Sequence, residues 1–331
     1  MIPPRQRFSR RAFLAGSAAA LLASRTTLAA ATDQARVAIT LDLEMSRNFP
    51  VWEDTHWDFE KGNLDADTKR YTVAAAERVK QRGGRIHCFC VAKVLEQPDV
   101  SWLTQLAADG HPIGNHTYDH VNVTAKRPQD VQFRFQRCPW LIEGQTAEQV
   151  IRENVRLATL ALKERAGIDN RGFRTPGGFA EGLAGREDLQ TMLLEAGFTW
   201  VSSKYPRHAV SKPGEEPSQA IYDGIVAAQA AAQPFVYPTG LVEVPMSPIS
   251  DIGAFRTGRW RLEWFLEAIR RAMAWTIEHR AVFDFLAHPS CLGVVDPHFR
   301  AIDLICELVE KSAGRARLVD LDTIAAEVRK S

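Results

Sequence analysis

Beyond residue 31 the chain has no run of about eighteen consecutive apolar residues, so no membrane-spanning helix is expected there. It is also poor in cysteine. Cys88, Cys90, Cys138, Cys291 and Cys306 show none of the close paired spacing of a structural zinc site, and an odd number of thiols cannot all pair with one another. No disulfide framework is expected; Cys88 and Cys90, two apart in a strand-like run, face one side as small buried residues. Excess basic charge is missing as well. The formal charge is +1, but the first 31 residues hold Arg5, Arg7, Arg10, Arg11 and Arg25 and no acid. The remainder carries 36 basic against 40 acidic residues, or −4. A mildly acidic body without a basic stripe is a poor nucleic-acid binder.

What is present fits a folded protein: 331 residues, 45% hydrophobic and 24% charged, are enough to bury a large core. The opening is different. Ser9-Arg10-Arg11-Ala12-Phe13-Leu14 precedes an Ala-rich run to Ala23, and Leu28-Ala29-Ala30-Ala31 offers small residues suited to signal peptidase. This resembles a bacterial twin-arginine signal. Residues 1–31 are therefore expected to be a signal peptide read by the twin-arginine export machinery. Residues 32–331 would then form one catalytic barrel, periplasmic or otherwise exported.

From Ala35 onward, strand-like and helix-like segments alternate with short links, which predicts parallel βα units. Strands are expected at 36–43, 85–91, 111–114, 172–175, 198–202, 241–245, 281–287 and 317–319. Helices are expected at 67–83 with Asp67 as N-cap, 101–109, 186–196, 221–232, 262–278 and 299–312. One more opens at Thr146-Ala147-Glu148-Gln149, which has the form of a capping box, and runs to about residue 165. The stretch 205–238, rich in Pro, Gly and Ala, reads as a lid or elaborate loop. The expected architecture is α/β, a single distorted (β/α) barrel of about seven units, with reactive groups at the C-terminal strand ends.

Four stretches meet that test. Residues 110–120, Gly-His-Pro-Ile-Gly-Asn-His-Thr-Tyr-Asp-His, end in His116 and His120; four apart, the two rings would share one face of a helical turn and could grip one cation. A third, carboxylate ligand would come from Asp42-Leu43-Glu44 at the end of the first strand, whose two acids face one side. Arg174-Thr175-Pro176-Gly177-Gly178 offers a guanidinium for a carboxylate and a tight loop whose N–H groups can face a ligand. Phe285-Leu286-Ala287-His288 delivers a further imidazole to the same rim. Each has an ordinary alternative: a chance spacing, a solvated pair of acids, a plain turn, a structural histidine.

In order and spacing these motifs resemble those of the polysaccharide deacetylases, carbohydrate esterase family four, over roughly residues 36–319. Residues 110–120 are similar to that family's second motif, Arg174 to Gly178 to its Arg-x-Pro-x-Gly, and Leu286-Ala287-His288 to its final Leu-x-His. The resemblance implies a metal-dependent hydrolase that removes N-acetyl groups from a polysaccharide or peptidoglycan-type glycan. It implies metal ligands at His116 and His120, a general base at Asp42, an orienting residue at Arg174 and a general acid at His288. Two departures stand out. The family's adjacent aspartates are replaced by Thr40-Leu41-Asp42-Leu43-Glu44, similar to a spaced-acid branch, which carries the third ligand to Glu44. The fourth-motif Asp, which tunes the acid histidine, has no counterpart near Trp200-Val201-Ser202-Ser203; either Asp284, Asp251 or another acid substitutes, or the histidine is held otherwise.

The chemistry follows from the reaction. An amide yields to water only if the nucleophile is raised, the carbonyl oxygen's developing charge is met and the amine is protonated. A divalent ion on Glu44, His116 and His120 would acidify a bound water, the N–H of Gly177 would face the oxyanion, and Asp42 and His288 would move the protons. Mixed nitrogen and oxygen donors favour Zn²⁺; cobalt, nickel, manganese and iron share that chemistry. Phe49, Trp52, Trp57 and Phe59, in the loop after the first strand, and Phe133, Phe135 and Trp140, after His120, could stack on sugar rings or pack on the barrel. The rival readings are a hydrolase of small non-sugar amides, allantoinase-like, and a non-catalytic glycan-binding relative.

Overall fold

The computed structural model describes residues 33–45, 61–170 and 172–330. Residues 1–31, expected to be a signal peptide, and the aromatic residues Phe49, Trp52, Trp57 and Phe59 lie outside them. Among the described residues, nine strands form one sheet: β1 (Ala35–Leu43), β2 (Ile86–Cys90), β3 (Ile113–Asn115), β4 (Gly172–Phe179), β5 (Trp200–Lys204), β6 (Phe235–Val236), β7 (Val242–Glu243), β8 (Val282–Ala287) and β9 (Ala316–Leu318). Their order is β6-β7-β5-β4-β3-β2-β1-β8, with β9 beside the start of β1, and every pairing is parallel except β6 with β7. A parallel sheet needs a crossover between neighbours, and the helices that supply it cover the outer face. The expected curled, barrel-like α/β architecture is the one observed.

Alternation along β1 sorts the two faces. Ile39, Leu41 and Leu43 enter the large apolar layer between sheet and helices, together with Cys88 and Cys90. Ala38 turns inward to a smaller apolar plug with Phe89, Trp200, Val242, Val244 and Val282. Glycine makes this interior possible: a Cβ on Gly172 would stand 2.0 Å from Trp200 Cζ2, and one on Gly114 would stand 2.6 Å from the Phe89 ring. All five cysteines are free, and burial pushes the Cys88 and Cys90 thiols up, the latter to about 12, so they pack as inert apolar groups.

Several boundaries shift. The first helix is Ala66–Gln81 and its cap is Asp65, whose Oδ1 accepts the Thr68 N–H at 2.8 Å; Asp67 lies inside the first turn. The Thr146–Gln149 capping box forms in both directions and opens the helix Ala147–Ala166. A terminal helix, Leu321–Val328, capped by Asp320, was not expected, although Leu321, Ile324, Ala325 and Val328 carry the i, i+3, i+4, i+7 signature.

The stretch 205–238, expected to be a lid or elaborate loop, instead closes the barrel. Its helix Gln219–Gln229 packs on the helix Leu262–Glu278, and its side-chain amides fill the gap between β7 and β8. Gln233 Oε1 accepts the Val282 N–H at 2.8 Å, while Gln233 Nε2 and Gln229 Nε2 donate to the Val282 carbonyl at 3.1 and 2.9 Å. Ser247 does the same for Asp284, with Ser247 N–H donating to its carbonyl and Ser247 Oγ accepting its N–H, both at 3.0 Å. Side chains thus replace a missing strand edge. Gln233→Ala should cost about 1–3 kcal/mol in urea unfolding, because both polar groups of Val282 lose a partner. An unchanged midpoint would show that the sheet closes by other means.

Candidate metal and hydrolytic site

Asp42, Glu44, His116, Arg174 and His288 are buried, His120 is half-buried and Gly177 is exposed; all but the glycine are linked by contacts at the C-terminal end of the sheet. Asp42 is the last inward residue of β1. Glu44 follows on a tight bend in which its N–H donates to the Asp42 carbonyl at 3.0 Å, so a turn, and not continued strand alternation, brings it beside Asp42.

His116 and His120 do not lie on a helical turn as expected. They flank an irregular loop after β3 in which Thr117 and His120 take left-handed backbone angles, φ 60° and 58°. Such conformations persist only where surroundings fix them. The Thr117 N–H donates to Asn115 Oδ1 at 2.8 Å, the Val121 N–H to Thr117 Oγ1 at 3.0 Å and the Asp119 N–H to Asn154 Oδ1 at 2.9 Å. Held this way, the rings sit with centroids 5.1 Å apart at an interplanar angle of 72°.

The nitrogens of the pair meet one carboxylate. Glu44 Oε2 is 2.6 Å from His120 Nε2 and 3.6 Å from His116 Nε2, and one ligand atom from each of the three residues lies within 4.8 Å of the others. His116 Nδ1 donates to the Arg174 carbonyl at 2.9 Å, which leaves its Nε2 lone pair facing Glu44. Burial pushes His120 down to about 4, against the pull of Glu44. Glu44 Oε2 is buried yet takes part in no hydrogen bond. A buried carboxylate oxygen facing the Nε2 atoms of two imidazoles fits a divalent cation, and the mixed donor set suits zinc. Burial would raise the Glu44 carboxyl, but His120 and a neighbouring lysine outweigh it and hold it well below the usual range.

That lysine, Lys61, was missed by the sequence reading. Its Nζ contacts Glu44 Oε1, and it is 4% exposed. No motif contains it, and lysines are usually solvated, so no signal in the chain marked it.

Arg174, fully buried at 0% exposure, ties the base candidate into the barrel. Its Nη1 donates to Thr40 Oγ1 at 2.7 Å and to Asp42 Oδ1 at 3.1 Å, and its Nη2 donates to Asp284 Oδ2 and, at 3.1 Å, to Ser202 Oγ. The guanidinium also lies over Phe89, 4.3 Å from the ring centroid. Asp284 therefore serves Arg174 and not the acid histidine, and burial raises it to about 6 against the pull of Arg174. Gly177, at φ +78° and exposed, forms the turn just beyond, with Thr175 Oγ1 donating to its carbonyl at 2.7 Å.

His288 follows β8. Its Nε2 is 3.6 Å from Glu44 Oε1 and 3.9 Å from Asp42 Oδ2. Its Nδ1 donates to Asp251 Oδ1 at 2.9 Å, while its own N–H donates to Asp251 Oδ2 at 2.7 Å. Of the two acids named as substitutes, Asp251 is the partner, set at the start of a π-helical turn, Ile252–Thr257. Burial alone would lower the His288 pKa, but Asp251 reverses this and the pKa is raised. Among the other aromatics, Phe135 is core, Phe133 stacks under Arg137, and Trp140 is 67% exposed.

Residues 58–192 match the family model for polysaccharide deacetylases. No curated protein matches the chain. Among solved structures, a probable polysaccharide deacetylase from Pseudomonas aeruginosa PAO1 aligns with a TM-score of 0.60 at 14% identity, covering 89% of this chain and 91% of that one. The PuuE allantoinase aligns at 0.58 and 15%, covering 89% and 90%. The resemblance read from the motifs thus holds in a family match and in the fold.

Because the folded-state pKa of His288 is raised, its stabilisation is complete below the unfolded value of about 6.5 and fades as pH rises through the folded one. In metal-free protein, histidine NMR should show His288 titrating above that ordinary value, and Asp251→Asn should lower it, since only Glu44 and Asp42 then oppose burial. Titration of His288 below the ordinary value in the unsubstituted protein would contradict the assignment.

Proposed function

We propose that this chain, with the fold of the polysaccharide deacetylases and a matching family segment, is a metal-dependent amide hydrolase that removes acetyl groups from an N-acetylated glycan. The observation that carries this reading is the convergence of Glu44, His116 and His120 within 4.8 Å, with Asp42 on one flank and His288 on the other. A divalent ion held there, Zn²⁺ by donor set, supplies Lewis acidity for the amide carbonyl and acidifies water.

The remaining work falls to the chain. Asp42, oriented by Arg174 through one Nη1 contact, accepts a proton from the attacking water. His288, kept protonated to higher pH by Asp251, donates from Nε2 to the departing nitrogen. The backbone N–H of Gly177, on its left-handed turn, meets the charge that develops on the carbonyl oxygen. The reading includes export to the periplasm or beyond, where cell-envelope and environmental glycans are the accessible substrates. Likeness to an allantoinase keeps small ureides as the second class to test.

A panel of N-acetylated glycans and ureides, offered to zinc-loaded protein, should yield acetate from glycans. Chelation should stop turnover. Asp42→Asn and His288→Ala should each lower kcat by about 10²–10⁴-fold with binding retained. Turnover of ureides alone would favour the second class, and acetate from no glycan would contradict the first.

A further inference from the structure

Lys61 is a buried cation beside three groups that would themselves hold a cation, and its backbone fixes it there. The Met45 N–H donates to the Lys61 carbonyl at 2.9 Å, one residue past Glu44. Gly62 is packed so closely on Lys93 that a Cβ would stand 2.5 Å from Lys93 Cβ. Lys93 belongs to the 3₁₀ segment Ala92–Glu96, whose first N–H groups, on Ala92 and Lys93, donate to the Thr117 and Tyr118 carbonyls at 3.0 and 3.1 Å. The backbone that seats Lys61 is thus the backbone that seats the His116–His120 loop.

The two oxygens of Glu44 have separate neighbours. Oε1 takes Lys61 Nζ, while Oε2 faces His120 and His116. We propose that Lys61 is the resident counter-ion of the metal site: it neutralises Glu44 through Oε1 when no ion is present, keeps Oε2 as the single ligating oxygen, and weakens the hold on the ion. This rests on the metal-site reading above.

The physical reason is charge balance at a buried carboxylate. A buried carboxylate short of partners is strongly unfavourable, and without Lys61 the metal-free site would leave Glu44 with only the imidazoles of His116, His120 and His288 beside it. An arriving divalent ion takes over that task and is then repelled by an ammonium a few ångströms away, an interaction worth several kcal/mol even at an effective dielectric constant of about 20. Lys61 therefore trades affinity for a metal-free site that stays folded and aligned.

The test is zinc affinity by chelator competition, together with thermal unfolding with and without zinc, in the full-length chain. Lys61→Met should lower the metal-free Tm, enlarge the Tm rise on zinc addition and tighten zinc binding by at least about tenfold, since one cation's repulsion is removed. Lys61→Gln should tighten it in the same direction and covers the case in which the Met variant folds only with zinc. Lys61→Arg, which keeps the charge, should bind zinc as the unsubstituted protein does. Unchanged or weaker binding in both neutral variants overturns the proposal, as does an Arg variant that behaves like them. Unsubstituted protein that takes up no zinc overturns the metal-site reading itself, and with it this inference.

Discussion

A guanidinium with no path to solvent must be matched by charge, and Arg174 is where this structure meets that demand. Its partners come from three other strands: Thr40 and Asp42 on β1, Ser202 on β5 and Asp284 on β8, while Phe89 of β2 lies against its face. Removing any one of these would leave a buried ion short of a partner, and that type of loss costs more than a surface pair ever gains. The same residue's carbonyl takes the Nδ1 proton of His116. One side chain and its own backbone thus orient the base candidate and fix which nitrogen of a candidate ligand faces the carboxylate.

The layers of the barrel interior explain why so much charge can be kept there. Its lower part is filled by Trp200, Phe89, Val242, Val244 and the terminal helix Leu321–Val328, with glycines at 114 and 172 giving room for the rings. Above that apolar plug lie Arg174 and its two carboxylates, and above them the cluster of Glu44, His116, His120, His288 and Lys61. Low polarizability below strengthens each pairing above, and each acid has a matching donor: Asp42 and Asp284 share Arg174, Asp251 takes His288, and Glu44 takes Lys61. His288 and Asp284 are both displaced upward from their ordinary pKa values, and His120 downward, which is the spread expected where proton transfer and ion binding share one cleft.

Much of this was legible in the chain because the informative residues sit at strand ends in recognisable company. Asp42 and Glu44 close a β-branched run, His116 and His120 close a short one, and His288 follows an apolar one. What the spacing could not convey was backbone conformation: two histidines four positions apart read as a helical turn, but Asn115 and Thr117 bend the loop through two left-handed residues and reach a similar juxtaposition. Lys61 left no trace, since its role depends on a close approach of distant backbone. Gln229 and Gln233 were equally silent, because an amide that stands in for a strand edge looks like any polar residue on a helix flank. Asp251 was one of two candidates, and only geometry could separate it from Asp284, which serves Arg174. The helix Leu321–Val328 was a different kind of omission: its cap and periodicity were present in the sequence.

The proposed metal site places one divalent ion on Glu44, His116 and His120, between Asp42 and His288. Crystals grown with zinc and measured across its absorption edge test it directly. One strong anomalous peak is expected within bonding reach of Glu44 Oε2, His116 Nε2 and His120 Nε2, at about 2.0–2.2 Å from each. No peak in that cleft, or a peak bonded to a different set of side chains, would contradict it.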